Sequence, residues 1–264
     1  MKNTSYSIKE LKQKLEGIYS RYNHRRYVHP DPLEFLYSYD NIKDREIVGL
    51  VSSSLAYGRV TQILKSVEKI LSKMGNSPYK YVLRSGTGFL KKDFFSFKHR
   101  FTRGEEMACL LSVARKLIKR YGSLNEAFLE GYDEKDCNVA PAILAFSEKI
   151  NVLSGNSCCS LIPSHEGRSA FKRLNLYLRW MIRNNGVDPG GWQGIPVSKL
   201  LIPLDIHMWR ISGILGLTSR KQADMKAVLE VTESLKKIDK NDPIRYDFAL
   251  TRIGINRLGE DIIF

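Results

Sequence analysis

The sequence predicts an all-α fold. Three observations predict it. Apolar residues recur at three- and four-residue intervals along most of the chain, the spacing of a helix that buries one face. Capping boxes and proline–glycine punctuation stand at the ends of those runs. Val and Ile sit within the helical spacing and nowhere in strand-like alternation. Ten or more helices are expected.

Taken in order, Ser7-x-x-Glu10 reads as a capping box opening a helix to about Tyr22, with Leu11, Leu15, Ile18 and Tyr22 on one face. Residues 22–30 are a basic, aromatic connector, and Asp31-Pro32 starts a second helix with proline near its first position. Residues 44–56 (DREIVGLVSSSLA) predict a buried helix whose small residues allow close packing. Tyr57-Gly58-Arg59 then forms a turn, and a helix follows from Val60 to about Met74. Arg59 reads either as a solvated turn residue or as a functional one, since loops carry both roles.

Residues 84–103 (RSGTGFLKKDFFSFKHRFTR) read as a basic loop in which aromatics alternate with Lys, Arg and His. That composition suits a surface that grips phosphates and stacks on bases. It equally suits aromatics packed on the core between solvated charges. Helices are expected at 104–120, at 123–130 after the box Ser123-x-x-Glu126, and at 139–152. Residues 153–169 are turn-rich and aperiodic, the best internal boundary; the chain reads as a single unit of 264 residues with possible lobes at 45–152 and at 1–44 plus 153–264.

A helix is predicted over 169–183. Phe171, Leu174, Leu178 and Met181 line one side, and Lys172, Asn175, Arg179 and Arg183 another. A tight loop, 184–191, precedes Trp192. Pro203 biases Ile202 away from helix, and Asp205 stands at the mouth of a new helix that Gly216 stops. Helices at 222–237 and from Asp242-Pro243 onward complete the chain.

The net charge is +14, which favours a polyanionic partner. The charge is unevenly placed. Residues 61–132 hold 14 Lys and Arg against 6 acids, and residues 161–221 hold 9 against 3, whereas 133–160 and 222–264 are slightly acidic. Two basic blocks suggest a basic face. No run approaches the ~18 apolar residues of a membrane span, and the polar first residues do not read as a signal peptide. The four cysteines (109, 137, 158, 159) and the five histidines (24, 29, 99, 165, 207) follow no metal spacing. No metal and no cofactor is expected, and a reducing cytoplasm is the expected setting.

Asp205 admits two compatible readings: an N-cap accepting a backbone N–H, and a catalytic carboxylate that the cap holds ionised and aimed. Lys172 opens a partly apolar helix 33 residues earlier. Surface exposure is the ordinary state of a lysine, but a neutral lysine amine is a nucleophile for carbonyl-like carbons. A carboxylate opposite it can manage protons or stabilise a developing oxocarbenium ion. Together they could cut an N-glycosidic bond through a Schiff base.

The run Pro203-Leu-Asp205-Ile-His207-x-x-Arg210 to Leu215-Gly216-Leu217 resembles the aspartate segment of the helix-hairpin-helix (HhH-GPD) DNA glycosylases. The Lys172-to-Asp205 spacing, with Arg179 as the second basic residue, is most similar to their archaeal 8-oxoguanine glycosylase branch. The whole chain, with SSSLAYGR (52–59), KRLNLYLRWMIR (172–183), PLDIH (203–207) and DPIRYDFAL (242–250), resembles an uncharacterised bacterial family placed beside those enzymes. The hairpin signature Leu-Pro-Gly-Val-Gly is absent; the nearest Gly-rich segment, 186–194, follows Lys172. The four-Cys cluster of some relatives is also missing, so no iron–sulfur centre is expected.

The resemblance implies a two-lobed helical bundle with a cleft, a base-excision DNA N-glycosylase, possibly with lyase activity, and a monomer acting on damaged duplex or single-stranded DNA with no protein partner. It makes Lys172 the nucleophile and Asp205 the essential carboxylate. Tyr57, Arg59, Trp180, Trp192 and His207 would border the pocket for an extruded base, His207 by supporting the carboxylate or touching a phosphate. Arg173, Arg179, Arg183, Lys199 and Arg210 would meet phosphates. Two alternatives stand beside it: an N-glycosidase for modified nucleosides or nucleotides, and a non-catalytic nucleic-acid-binding protein.

Overall fold

Local signals set where the helices begin and end. In the computed structural model, which describes residues 6–158, 160–163 and 169–255, α1 (Ile8–Tyr22) opens with the expected box: the Ser7 N–H donates to Glu10 at 2.9 Å and the Glu10 N–H donates back to Ser7 Oγ at 3.3 Å. Cys159 and His165, and part of the turn-rich stretch 153–169, lie outside the described residues. Helix α2 (Ile42–Ser54) is capped by Asn41. Helix α3 (Val60–Met74) buries Ile63, Val67, Ile70, Leu71 and Met74 and stops where Gly75 turns to positive φ.

Three expectations change here. Asp31-Pro32 opens a 3₁₀ helix, Pro32–Ser38, rather than an α-helix. The stretch 84–103 is not a loop: after α4 (Pro78–Arg84) come α5 (Thr87–Asp93) and a two-residue-per-strand hairpin, β1 (Lys98–His99) pairing antiparallel with β2 (Thr102–Arg103). The dense Lys and Phe content hid these short elements because neither is long enough to show a period. The last helix, α12 (Asp247–Ile255), starts five residues after Asp242, whose carboxylate is drawn to Arg183 instead.

The remaining helices fall close to expectation: α6 (Gly104–Tyr121), α7 (Leu124–Leu129), α8 (Ala140–Ser154), α9 (Lys172–Ile182), α10 (Ile206–Ile214) and α11 (Met225–Lys236). Helix α6 packs against α4, α5, α7 and α8, while α12 packs against α1 and α10. Helix α2 joins these groups, lying along α9 as well as α3 and α4. The close α2–α9 approach depends on Gly49, where an added Cβ would lie 2.9 Å from the Tyr177 ring. Most buried apolar side chains form one cluster reaching from Leu11 to Leu250, with residues from both expected lobe ranges, and Tyr22, Ala249 and Ile253 form a second, small one. The described residues are otherwise helical and irregular, and no helix among them is long and apolar enough to cross a membrane.

Candidate active site

Helices α9 and α10 bring Lys172 and Asp205 together. Lys172 is the first residue of α9, and Asp205 is the N-cap of α10, accepting the Met208 N–H at 2.9 Å. The Lys172 amine lies 3.2 Å from Asp205 Oδ2, and the two side chains are 31% and 28% exposed. They are therefore held but reachable. The amine also lies 3.4 Å from the Ala56 carbonyl, at the end of the small-residue segment that follows α2. Burial pushes the Asp205 carboxyl up, but Lys172, the Met208 N–H and His207 outweigh it and hold it below its ordinary value. It is the ionised partner of a cation at neutral pH.

The local design around Lys172 breaks two rules. A lysine and an arginine occupy the first two positions of α9, the end where the helix dipole disfavours cations. The residue before them, Phe171, is buried and adopts the left-handed region at φ 46 and ψ 34. A non-glycine residue in that region costs on the order of 1–3 kcal/mol, and such strain clusters at functional sites. The Phe171 side chain belongs to the apolar core.

Tyr57 follows Ala56 directly. Its hydroxyl donates to the His99 carbonyl at 2.9 Å and lies 2.7 Å from Thr102 Oγ1, so it ties the site to both strands of the hairpin. Arg173 stands over the Tyr57 ring at 5.3 Å, and one of its amino groups donates to the Ser54 and Ser160 carbonyls. Arg59 is exposed at the start of α3, and His207 and Arg210 are exposed on α10.

Other expected site residues lie elsewhere. Trp180 and Trp192 belong to the core, 1% and 4% exposed; Trp192 packs edge-on against Tyr177 at 5.0 Å. Neither lines the groove described below. Arg179 and Arg183 face inward as well. Arg179 pairs with Asp188 at 3.0 Å and with Asp247, and Arg183 pairs with Asp188 and Asp242. All their charge is spent inside, so neither meets a phosphate. Their spacing of four residues puts them on one helical face, and Asp188 in the following tight loop closes onto both. The Lys199 amine donates to the carbonyls of Glu134 and Asp136, fastening the 132–138 loop.

One carboxylate near the site was not anticipated. Asp247, at the start of α12, is buried against Arg179 with Oδ1 unpartnered. Burial first, then the neighbouring charges of Asp205 and Asp188, raise it to about 6 against the pull of Arg179. Its only sequence signal was a charge inside the apolar run YDFAL. The described residues contain no cluster of His, Cys, Asp and Glu able to hold a metal. A groove of about 350 Å³ between Tyr6, Ile8 and Leu11 and Leu215, Leu217 and Ile238 includes neither Lys172 nor Asp205.

No curated protein and no solved structure matches the chain. The sequence model described as Protein of unknown function (DUF2400) matches residues 31–256, a span that includes Lys172, Asp205, Tyr57 and the hairpin. The chain belongs to that family.

Proposed function

We propose that the protein is a DNA base-excision N-glycosylase that uses Lys172 as a Schiff-base nucleophile and Asp205 as its proton carrier. The observation that carries this reading is the 3.2 Å pairing of a partly exposed amine with a capped carboxylate. A pair with this exposure contributes only about 0–1 kcal/mol to stability, too little to offset the disfavoured cations and the left-handed Phe171. That balance supports a chemical role for the pair. The sequence resemblance around 203–217 and the basic balance of the chain point the same way.

The steps balance on this pair. Lys172 passes one ammonium proton to Asp205 and becomes a nucleophile. The amine attacks C1′ of the target nucleotide, the N-glycosidic bond breaks with its electron pair on the base, and the base takes the proton held by Asp205. The C1′–O4′ bond then opens as the new C–N nitrogen gives a proton to O4′, which leaves an iminium on Lys172. Placing amine and carboxylate in contact supplies the proximity that such a step needs.

The non-catalytic alternative expects Lys172 to face solvent far from Asp205, and the 3.2 Å contact weighs against it. The test is borohydride trapping on duplex and single-stranded oligonucleotides carrying oxidised, deaminated, alkylated or abasic sites. A covalent adduct is expected with one of these lesions and is expected to vanish in Lys172→Gln. Trapping that persists in Lys172→Gln removes this lysine as nucleophile. No adduct and no excision across the panel, in the presence of folded protein, overturns the reading.

A further inference from the structure

Of the five phenylalanines between 84 and 103, Phe94 and Phe97 are 1% and 4% exposed and belong to the core. Phe89 is 55% exposed, and Phe95 and Phe101 are each 78% exposed. The six Lys and Arg of the same segment, at 84, 91, 92, 98, 100 and 103, are all exposed. Its single acid, Asp93, is occupied by Lys73 at 2.9 Å and by the Tyr81 hydroxyl. The segment is thus a cationic surface bearing free rings.

The hairpin that carries Phe101 is firmly held. His99 is buried, with its ring nitrogens 2.9 Å from Ser66 Oγ and 3.0 Å from the Tyr57 carbonyl. Thr102 Oγ1 lies 3.2 Å from Ser160 Oγ. At the tip, Arg100 takes the left-handed conformation, φ 51. Its side chain runs over Gly58, where a Cβ would come within 2.7 Å of it. The guanidinium stands 6.0 Å from the Tyr57 ring and 5.4 Å from the Phe101 ring. Arg173, Tyr57, Arg100 and Phe101 therefore make a ladder of planar groups leading outward from the Ala56 carbonyl that Lys172 touches.

We propose that the hairpin tip Arg100–Phe101, with Phe95 before it, is a docking surface for an unpaired DNA strand. The rings take base faces, and Lys92, Lys98 and Arg100 take phosphates. Aromatic rings interleaved with cations suit any base, because every base offers a π face and every nucleotide a charge. The charge complementarity is direct: a surface with six exposed cations and no free acid in its segment meets a polyanion. The inference rests on the reading of DNA as the partner but not on the excision chemistry.

The test is fluorescence anisotropy of the full chain with a lesion-free single-stranded oligonucleotide, over a range of salt. Phe101→Ala and Phe95→Ala/Phe101→Ala are expected to weaken binding at least about fivefold per ring lost with an unchanged salt slope, and Phe101→Trp to restore it. Lys92→Ala/Lys98→Ala is expected to lower the slope of log affinity against log salt by about 0.7 per phosphate contact removed. Because these side chains are exposed, the variants are expected to melt with the wild type. Binding by Phe95→Ala/Phe101→Ala equal to wild type overturns the proposal. So does binding to phosphatidylserine vesicles without binding to the strand. Trapping with the wild-type chain separates the two readings: ring-dependent binding with no adduct on any lesion leaves the surface standing and removes the excision chemistry. An adduct formed equally well by Phe95→Ala/Phe101→Ala, with strand binding unchanged, does the reverse.

Discussion

Replacing Arg179 by methionine tests whether its charge serves the interior. The guanidinium is buried and holds two carboxylates, Asp188 through bonds of 3.0 Å and Asp247 through a closer one. Asp188 keeps Arg183 when Arg179 is lost. Asp247 keeps no partner, since its other oxygen already has none. Removing one member of a buried ion pair costs about 3–5 kcal/mol because the remaining charge is stranded. At roughly 2–4 °C per kcal/mol for a chain near this length, the melting temperature at neutral pH should fall on the order of 6–20 °C.

The penalty also depends on pH in a fixed direction. Burial raises Asp247 to about 6 even with Arg179 present, and loss of Arg179 raises it further. The native variant then binds a proton that the unfolded chain, with an Asp near 3.9, does not. Its stability falls as pH rises through the window above about 4, so the deficit should be small at pH 5 and large at pH 8. Arg179→Met/Asp247→Leu removes both charges and should recover most of the loss. Thermal melting at the two pH values is the assay. A single variant that melts within about 2 °C of wild type at neutral pH, while losing affinity for DNA, would refute the structural assignment and return Arg179 to the phosphates.

Lys172→Gln and Asp205→Asn should each change stability by less than about 1 kcal/mol, because the pair is partly exposed and Asn can keep the cap; a large melting shift in either would mean the pair is structural. The Asp205 carboxyl lies below its ordinary value, so the small stability it contributes is present above about pH 4 and is lost as pH falls through its lowered folded-state value. Tm profiles of wild type and Asp205→Asn should therefore converge only in acid. Gly49→Val should cost about 1–3 kcal/mol by overpacking against Tyr177, 2.9 Å from the added carbon, and a denaturant midpoint unchanged by it would show that α2 and α9 are less closely seated.

The sequence by itself determined the features whose partners are neighbours in the chain. The Ser7–Glu10 box, the Asp205 cap and the positive-φ glycine after α3 are interactions within a few residues, so residue identity and spacing suffice to read them. The helical class follows from the same local periodicity. Even there, α5 and the hairpin were illegible, since two to seven residues are too few to display a period.

Only the tertiary structure decided what depends on contacts across the chain. Lys172 and Asp205 are 33 residues apart, and their meeting is set by how α9 and α10 are held, which no local spacing encodes. Arg179 and Arg183 were expected at phosphates; they face inward because Asp188 from the following loop and Asp242 and Asp247 from distant segments pair them. The same holds for the segment 84–103, where alternation of rings and charges fits both core and surface. Burial sorts its phenylalanines, and burial is a property of the packed whole: Phe94 and Phe97 complete the core, and Phe95 and Phe101 are left in solvent.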